Sequence, residues 1–80
     1  MFYVYILLCS EHRTYVGSTN DLKDRIKRHQ SGYIPATKNR LPVKLIAYFA
    51  FCEEETARKF EQYLKSGSGR AFMKKHGFVM

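Results

Sequence analysis

Eighty residues with 45% hydrophobic and 15% aromatic content exclude a disordered chain and leave room for one core, so residues 1–80 read as a single domain. Fourteen Lys and Arg against seven Asp and Glu give a net charge of +7, which points to a polyanionic partner, nucleic acid being the commonest. Two cysteines without paired spacing suit buried thiols better than a disulfide framework or a zinc site, and no apolar run is long enough for a membrane span.

The N-terminal MFYVYILLC also lacks the basic start and small-residue cleavage site of a signal peptide, so the chain reads as soluble and cytoplasmic, with Cys9 and Cys52 as buried, reduced thiols. FYVYILLC (2–9), rich in β-branched and aromatic residues, predicts a buried strand. SEHR (10–13) is a polar connection and TYVGS (14–18) its hairpin partner. Thr19 or Asn20 is the expected cap of a helix running to about Gln30, with Asp21 in its first turn opposing the helix dipole. SGYIPATKNRLP (31–42) has two prolines, a glycine and no periodicity, and a loop of that length in a small domain is more often functional than idle. VKLIAYFAF (43–51) predicts a third strand and EEETARKFEQYLKS (53–66) a second helix, whose three leading glutamates suit its positive end. SGSG (66–69) is expected to break that helix, and RAFMKKH (70–76) forms a short last helix closed by Gly77. The order is β-β-α-β-α-α, an α+β domain.

Charge is unevenly spread. Residues 23–44 carry Lys23, Arg25, Lys27, Arg28, Lys38, Arg40 and Lys44 against Asp24 alone, a surface suited to phosphates of DNA or RNA. Leu22 and Ile26 make the apolar stripe of the first helix, yet Arg25 and His29 fall on the same stripe. The second helix repeats the oddity, with Glu61 in the middle of the stripe formed by Ala57, Phe60 and Leu64. A carboxylate turned toward a small core is expensive unless paired, hydrogen-bonded or bound to a metal; the structural alternative is an ion pair with Arg25. Tyr3 and Tyr5 share one strand face, and the hairpin can bring Tyr15 near Tyr5. Gly17, without a Cβ, is either a plain turn glycine or a point where a phosphate approaches the backbone. Two tyrosines, an arginine, a histidine and a glutamate beside a basic surface suggest phosphate-ester chemistry. The glutamate would hold a hard divalent cation such as Mg²⁺, and the arginine would share the charge that builds in the transition state.

At these residues the chain resembles the GIY-YIG endonuclease domain family. Tyr15-Val16-Gly17 is a close variant of the second half-motif, and Tyr3-Val4-Tyr5 stands for the first, keeping its final tyrosine but lacking its leading glycine. Arg25 matches the family arginine, His29 a frequent histidine, and Glu61 the glutamate of the following helix. The likeness covers nearly the whole chain and is closest to small stand-alone members, similar to the nuclease module of the nucleotide-excision-repair excinuclease. It implies a three-stranded antiparallel sheet flanked by helices, and a nuclease that hydrolyses DNA phosphodiester bonds with one Mg²⁺ or Mn²⁺, in DNA repair or processing. By that likeness Glu61 is the metal ligand, Arg25 steadies the transition state, Tyr15 or Tyr5 activates or positions the water, and His29 assists; Tyr15 is favoured as the base. Gly17, Lys23, Lys27, Arg28, Lys38 and Arg40 are the expected nucleic-acid contacts. The rival readings are a non-catalytic binding module that needs the basic residues but not Glu61, and a nuclease active only with a protein partner that supplies specificity.

Overall fold

The computed structural model describes residues 1–78; the last two residues of the chain lie outside the described part. Three strands, β1 (Phe2–Leu8), β2 (Thr14–Thr19) and β3 (Lys44–Phe51), form one antiparallel sheet in the order β2-β1-β3. Three helices follow the expected places: α1 (Leu22–Gln30) after the hairpin, then α2 (Glu54–Lys65) and α3 (Gly67–Lys75) after β3. The fold is α+β, β-β-α-β-α-α, as the sequence implies.

The central position of β1 explains its unbroken apolar run, because both of its faces are covered. Val4 and Ile6 face α2 and α3, where Val16, Ala57, Leu64 and Met73 complete one core cluster. Tyr5, Leu7 and Cys9 face the other way and pack with Val43, Leu22 and Ile26, so α1 covers that side. Helices on the two faces leave β2, an outer strand, with a free edge between them.

Local chemistry shifts three expected boundaries or environments. The α1 cap is Asp21, whose carboxylate accepts from the Asp24 backbone N–H at 3.2 Å, while Thr19 Oγ1 accepts from the Asp21 N–H at 3.1 Å and holds the entering chain. SGSG is not a break before a helix at Arg70: α3 begins at Gly67, with Ser66 as cap accepting from the Gly69 N–H at 3.2 Å. Gly69 is buried at the α2–α3 corner, where a Cβ would collide with the Tyr63 carbonyl and the Leu64 backbone, so a closely crossing pair of helices selects it rather than a loop. Finally, Cys9 is buried as expected but Cys52 is exposed just after β3. The long loop contains a single 3₁₀ turn, Lys38–Arg40, preceded by the fully buried Thr37. No helix among the described residues is long and apolar enough to cross a membrane.

Candidate active site

Strand register places the tyrosines. Tyr5 pairs with Gly17 and Leu7 with Tyr15, so the two tyrosines are diagonal neighbours on the α1 face of the sheet, their ring centroids 6.3 Å apart. The Tyr5 ring lies directly over Gly17: a Cβ there would come within 2.6 Å of Cζ and 2.9 Å of Cε2. That corrects the expected use of this glycine, since its open face is filled by a phenol and has no room for a phosphate.

His29, on the last turn of α1, enters the same space and is fully buried. Its Nε2 lies 2.7 Å from Tyr5 Oη, and its Nδ1 lies 2.7 Å from Thr37 Oγ1. Burial, helped by the Arg25 charge, pushes the imidazole below its ordinary value, so it is neutral, with one nitrogen donating and the other accepting. The Tyr5–His29–Thr37 chain is therefore polarised in one direction, and no buried side-chain polar atom among the described residues lacks a partner. Burial also raises Tyr5, an effect increased by Tyr15 and Glu61 and opposed by the adjacent Arg25 guanidinium. Tyr5 thus keeps its proton. Tyr15 lies beside His29, the ring centroids 5.2 Å apart and the planes tilted, but it is only half-buried and lines a groove.

Glu61 approaches from the opposite side of the sheet. It lies at the edge of the α2 stripe rather than in its middle, with its side chain 20% exposed. Ser18, on β2, donates to Oε1 at 2.7 Å, and Lys65, one helical turn on, donates to Oε2 at 2.8 Å. The ion-pair partner is Lys65, not Arg25. Burial alone would raise this carboxyl, but the hydrogen bonds from Lys65 and Ser18, with the charges of Lys65 and Arg58, outweigh it and hold the carboxyl below its usual range. Arg25 lines a hollow with Ser18, Thr19 and Arg58 and so reaches round the free β2 edge toward α2.

This carboxylate suits a hard cation. It is ionised, each oxygen carries only one hydrogen bond, and Lys65, half exposed on a flexible stem, can turn away. Among the described residues no three His, Cys, Asp or Glu side chains cluster, so a cation here would take one protein carboxylate and fill its other positions with water.

The basic residues divide differently from their sequence grouping. Lys23, Lys27 and Arg28 lie on the exposed face of α1, with Arg28 paired to Asp24 at 2.9 Å, and Lys38 is exposed on the 3₁₀ turn. Arg40 instead lines a groove of about 730 Å³ that contains Tyr15, together with Arg13, Lys65, Arg70 and Lys74. Ser18, Thr37 and the groove's Arg13 escaped sequence reasoning, whereas Arg40 was already an expected nucleic-acid contact. Lys65 carried a signal, its i+4 spacing from Glu61; Thr37, inside an aperiodic loop, carried none.

Comparison with known proteins matches this geometry to one family. The model described as the GIY-YIG catalytic domain matches residues 1–76. The UPF0213 protein CPE1444 of Clostridium perfringens is 42% identical over 66 residues, 81% of this chain and 71% of its own length. The UPF0213 protein BH0048 of Halalkalibacterium halodurans is 42% identical over 69 residues, 85% and 73% of the two chains. The solution NMR structure of the UPF0213 protein BH0048 from Bacillus halodurans superposes with a TM-score of 0.59 at 37% identity, covering 94% of this chain and 84% of that one. The names of these relatives state no activity.

Proposed function

The chain belongs to the GIY-YIG catalytic domain family, and we propose that it is a divalent-metal-dependent endonuclease that hydrolyses DNA phosphodiester bonds, in DNA repair or processing. The observation that carries this reading is the convergence at the free β2 edge: an ionised, mostly shielded Glu61 on one side, Tyr15, Tyr5 and Arg25 on the other. A purely structural carboxylate would need neither a groove-facing phenol nor an arginine reaching round the strand.

Glu61 would hold Mg²⁺ or Mn²⁺, which when bound supplies Lewis-acid stabilisation of the developing phosphate charge. Arg25 adds a positive charge to the same transition state, and the hollow it shares with Ser18 and Arg58 keeps it aimed at the edge. Tyr15 lines the groove, and it positions a water whose oxygen bonds to phosphorus as the ester O–P bond opposite breaks. The phenol takes the water's proton as it gives its own to solvent, and the leaving oxygen takes a proton from solvent. Tyr5 is too buried to touch substrate and keeps its proton, so it acts on Tyr15 and Arg25 by packing and charge. His29 and Thr37 lock Tyr5 in place; His29 is therefore a positioning residue.

Supercoiled plasmid incubated with Mg²⁺ or Mn²⁺ tests the proposal. The wild type should nick or cut it, EDTA should stop the reaction, and Glu61→Gln should lower the rate by about a hundredfold or more while remaining folded. Absence of cleavage with either metal on duplex, single-stranded, branched and damaged DNA would overturn it.

A further inference from the structure

Five cations from four places in the fold meet in the groove that holds Tyr15: Arg13 from the β1–β2 turn, Arg40 from the 3₁₀ turn, Lys65 from α2, and Arg70 and Lys74 from α3. These residues are far apart in sequence, so no charge run produces the cluster. Tertiary structure does. No carboxylate lines the groove among the described residues. Two of the cations are already engaged, Arg40 with Glu11 at 3.9 Å and Lys65 with Glu61 at 2.8 Å. Arg13, Arg70 and Lys74 make no salt bridge among the described residues and are exposed. Unneutralised positive charge gathered along a concave wall is an electrostatic trap for an anionic chain.

The groove is also continuous with the chemistry. Tyr15 is in its wall, and Lys65 links it directly to Glu61. Its floor is apolar, built from Val16, Leu64 and Met73, and among the described residues Tyr15 and His12 are the lining rings, so the wall offers more charge for phosphates than stacking surface for bases. Lys27 and Arg28 of α1, by contrast, flank a separate shallow pocket beside the exposed Tyr33, and Arg28 there is neutralised by Asp24.

Resting on the nuclease reading above, we infer that this groove is the track for the phosphodiester backbone of a DNA strand, delivering it to Tyr15 and Glu61, with Arg13, Arg70 and Lys74 as the phosphate contacts. Lys65 is the switch point of the track. Its ammonium neutralises Glu61 in the absence of ligand, and once a cation occupies the carboxylate it is free to meet the incoming phosphate. Binding along such a track is sequence-independent and strongly salt-dependent.

Binding of a short fluorescent DNA duplex in EDTA, at a series of salt concentrations, reads the track without cleavage. Three proteins are compared: wild type, Arg13→Ala/Arg70→Ala/Lys74→Ala, and Lys23→Ala/Lys27→Ala/Arg28→Ala. Both triple variants remove three positive charges from exposed positions, so overall charge cannot separate them. The groove variant should lose nearly one unit of log–log salt slope per phosphate contact removed, about two to three units in all, and the α1 variant clearly less. A groove variant that keeps the wild-type slope, or loses no more than the α1 variant, overturns the track. Plasmid nicking by the wild type distinguishes the two claims. Nicking with an unaltered groove slope removes the track alone, whereas the expected slopes without nicking remove the nuclease reading and leave the track.

Discussion

Ser18, on the free edge of β2, donates to Glu61 of α2 at 2.7 Å across a sequence separation of 43 residues. The bond aims one carboxylate oxygen at the strand edge and leaves the other to Lys65. On the proposed reading it makes Ser18 an outer support of a cation at Glu61, and such supports are typically worth about 10- to 100-fold in metal affinity or activity. Ser18→Ala should therefore weaken Mn²⁺ binding by about tenfold, read by titration, while thermal stability changes little.

The depressed carboxyl of Glu61 sets a pH dependence. A group whose folded value lies below its unfolded value stabilises the fold above the unfolded value, about 4.3 for glutamate, and that contribution disappears as pH falls through the folded value. Melting curves between pH 7 and pH 3 should show the wild type losing stability over this acid window. Glu61→Gln should lack that part of the loss.

His29 is buried and bonded at both ring nitrogens, so its truncation leaves two polar groups without partners as well as a cavity. Unsatisfied buried groups cost about 1–3 kcal/mol each, and His29→Ala should destabilise the domain by about 3 kcal/mol or more in urea unfolding. Thr37→Val, which removes the Nδ1 partner but keeps the shape, should cost about 1 kcal/mol.

Three glycines that look alike in sequence should respond differently. Gly17→Ala pushes the Tyr5 ring off its place and strains the bond to His29, an overpacking of about 1–3 kcal/mol. Gly69→Ala drives α3 away from the α2 backbone and belongs at the upper end of that range, about 3 kcal/mol. Gly67→Ala meets nothing within 4 Å and should be neutral or stabilising by about 0.5 kcal/mol. Denaturant midpoints of the three variants check the order.

Much of this was readable from the chain alone. Period-two alternation put Tyr3 and Tyr5 on one face, the hairpin brought Tyr15 near Tyr5, and helical periodicity found that Arg25, His29 and Glu61 do not face solvent freely. What periodicity cannot supply is which side of the sheet each helix covers. That is why Glu61 and His29, both read as inward, turn out to lie on opposite faces, with Glu61 held by Ser18 at the edge of β2. Gly17 was legible as a special position but not its reason, because the residue that fills its open side comes from the neighbouring strand. SGSG misled for the same cause: Gly69 answers to a helix crossing rather than to local propensity. Charge grouping along the chain could not show that Arg13, Arg70 and Lys74, scattered in sequence, line one groove with Arg40 in the folded molecule.

Diffraction from crystals soaked in Mn²⁺, with anomalous maps at the manganese edge, shows whether Glu61 holds a cation at the β2 edge. The account expects one strong peak about 2.1 Å from a Glu61 oxygen, with Lys65 turned away and Tyr15 and Arg25 facing the ion. A fully soaked crystal with no peak at Glu61, its carboxylate still bridged by Ser18 and Lys65, would contradict it.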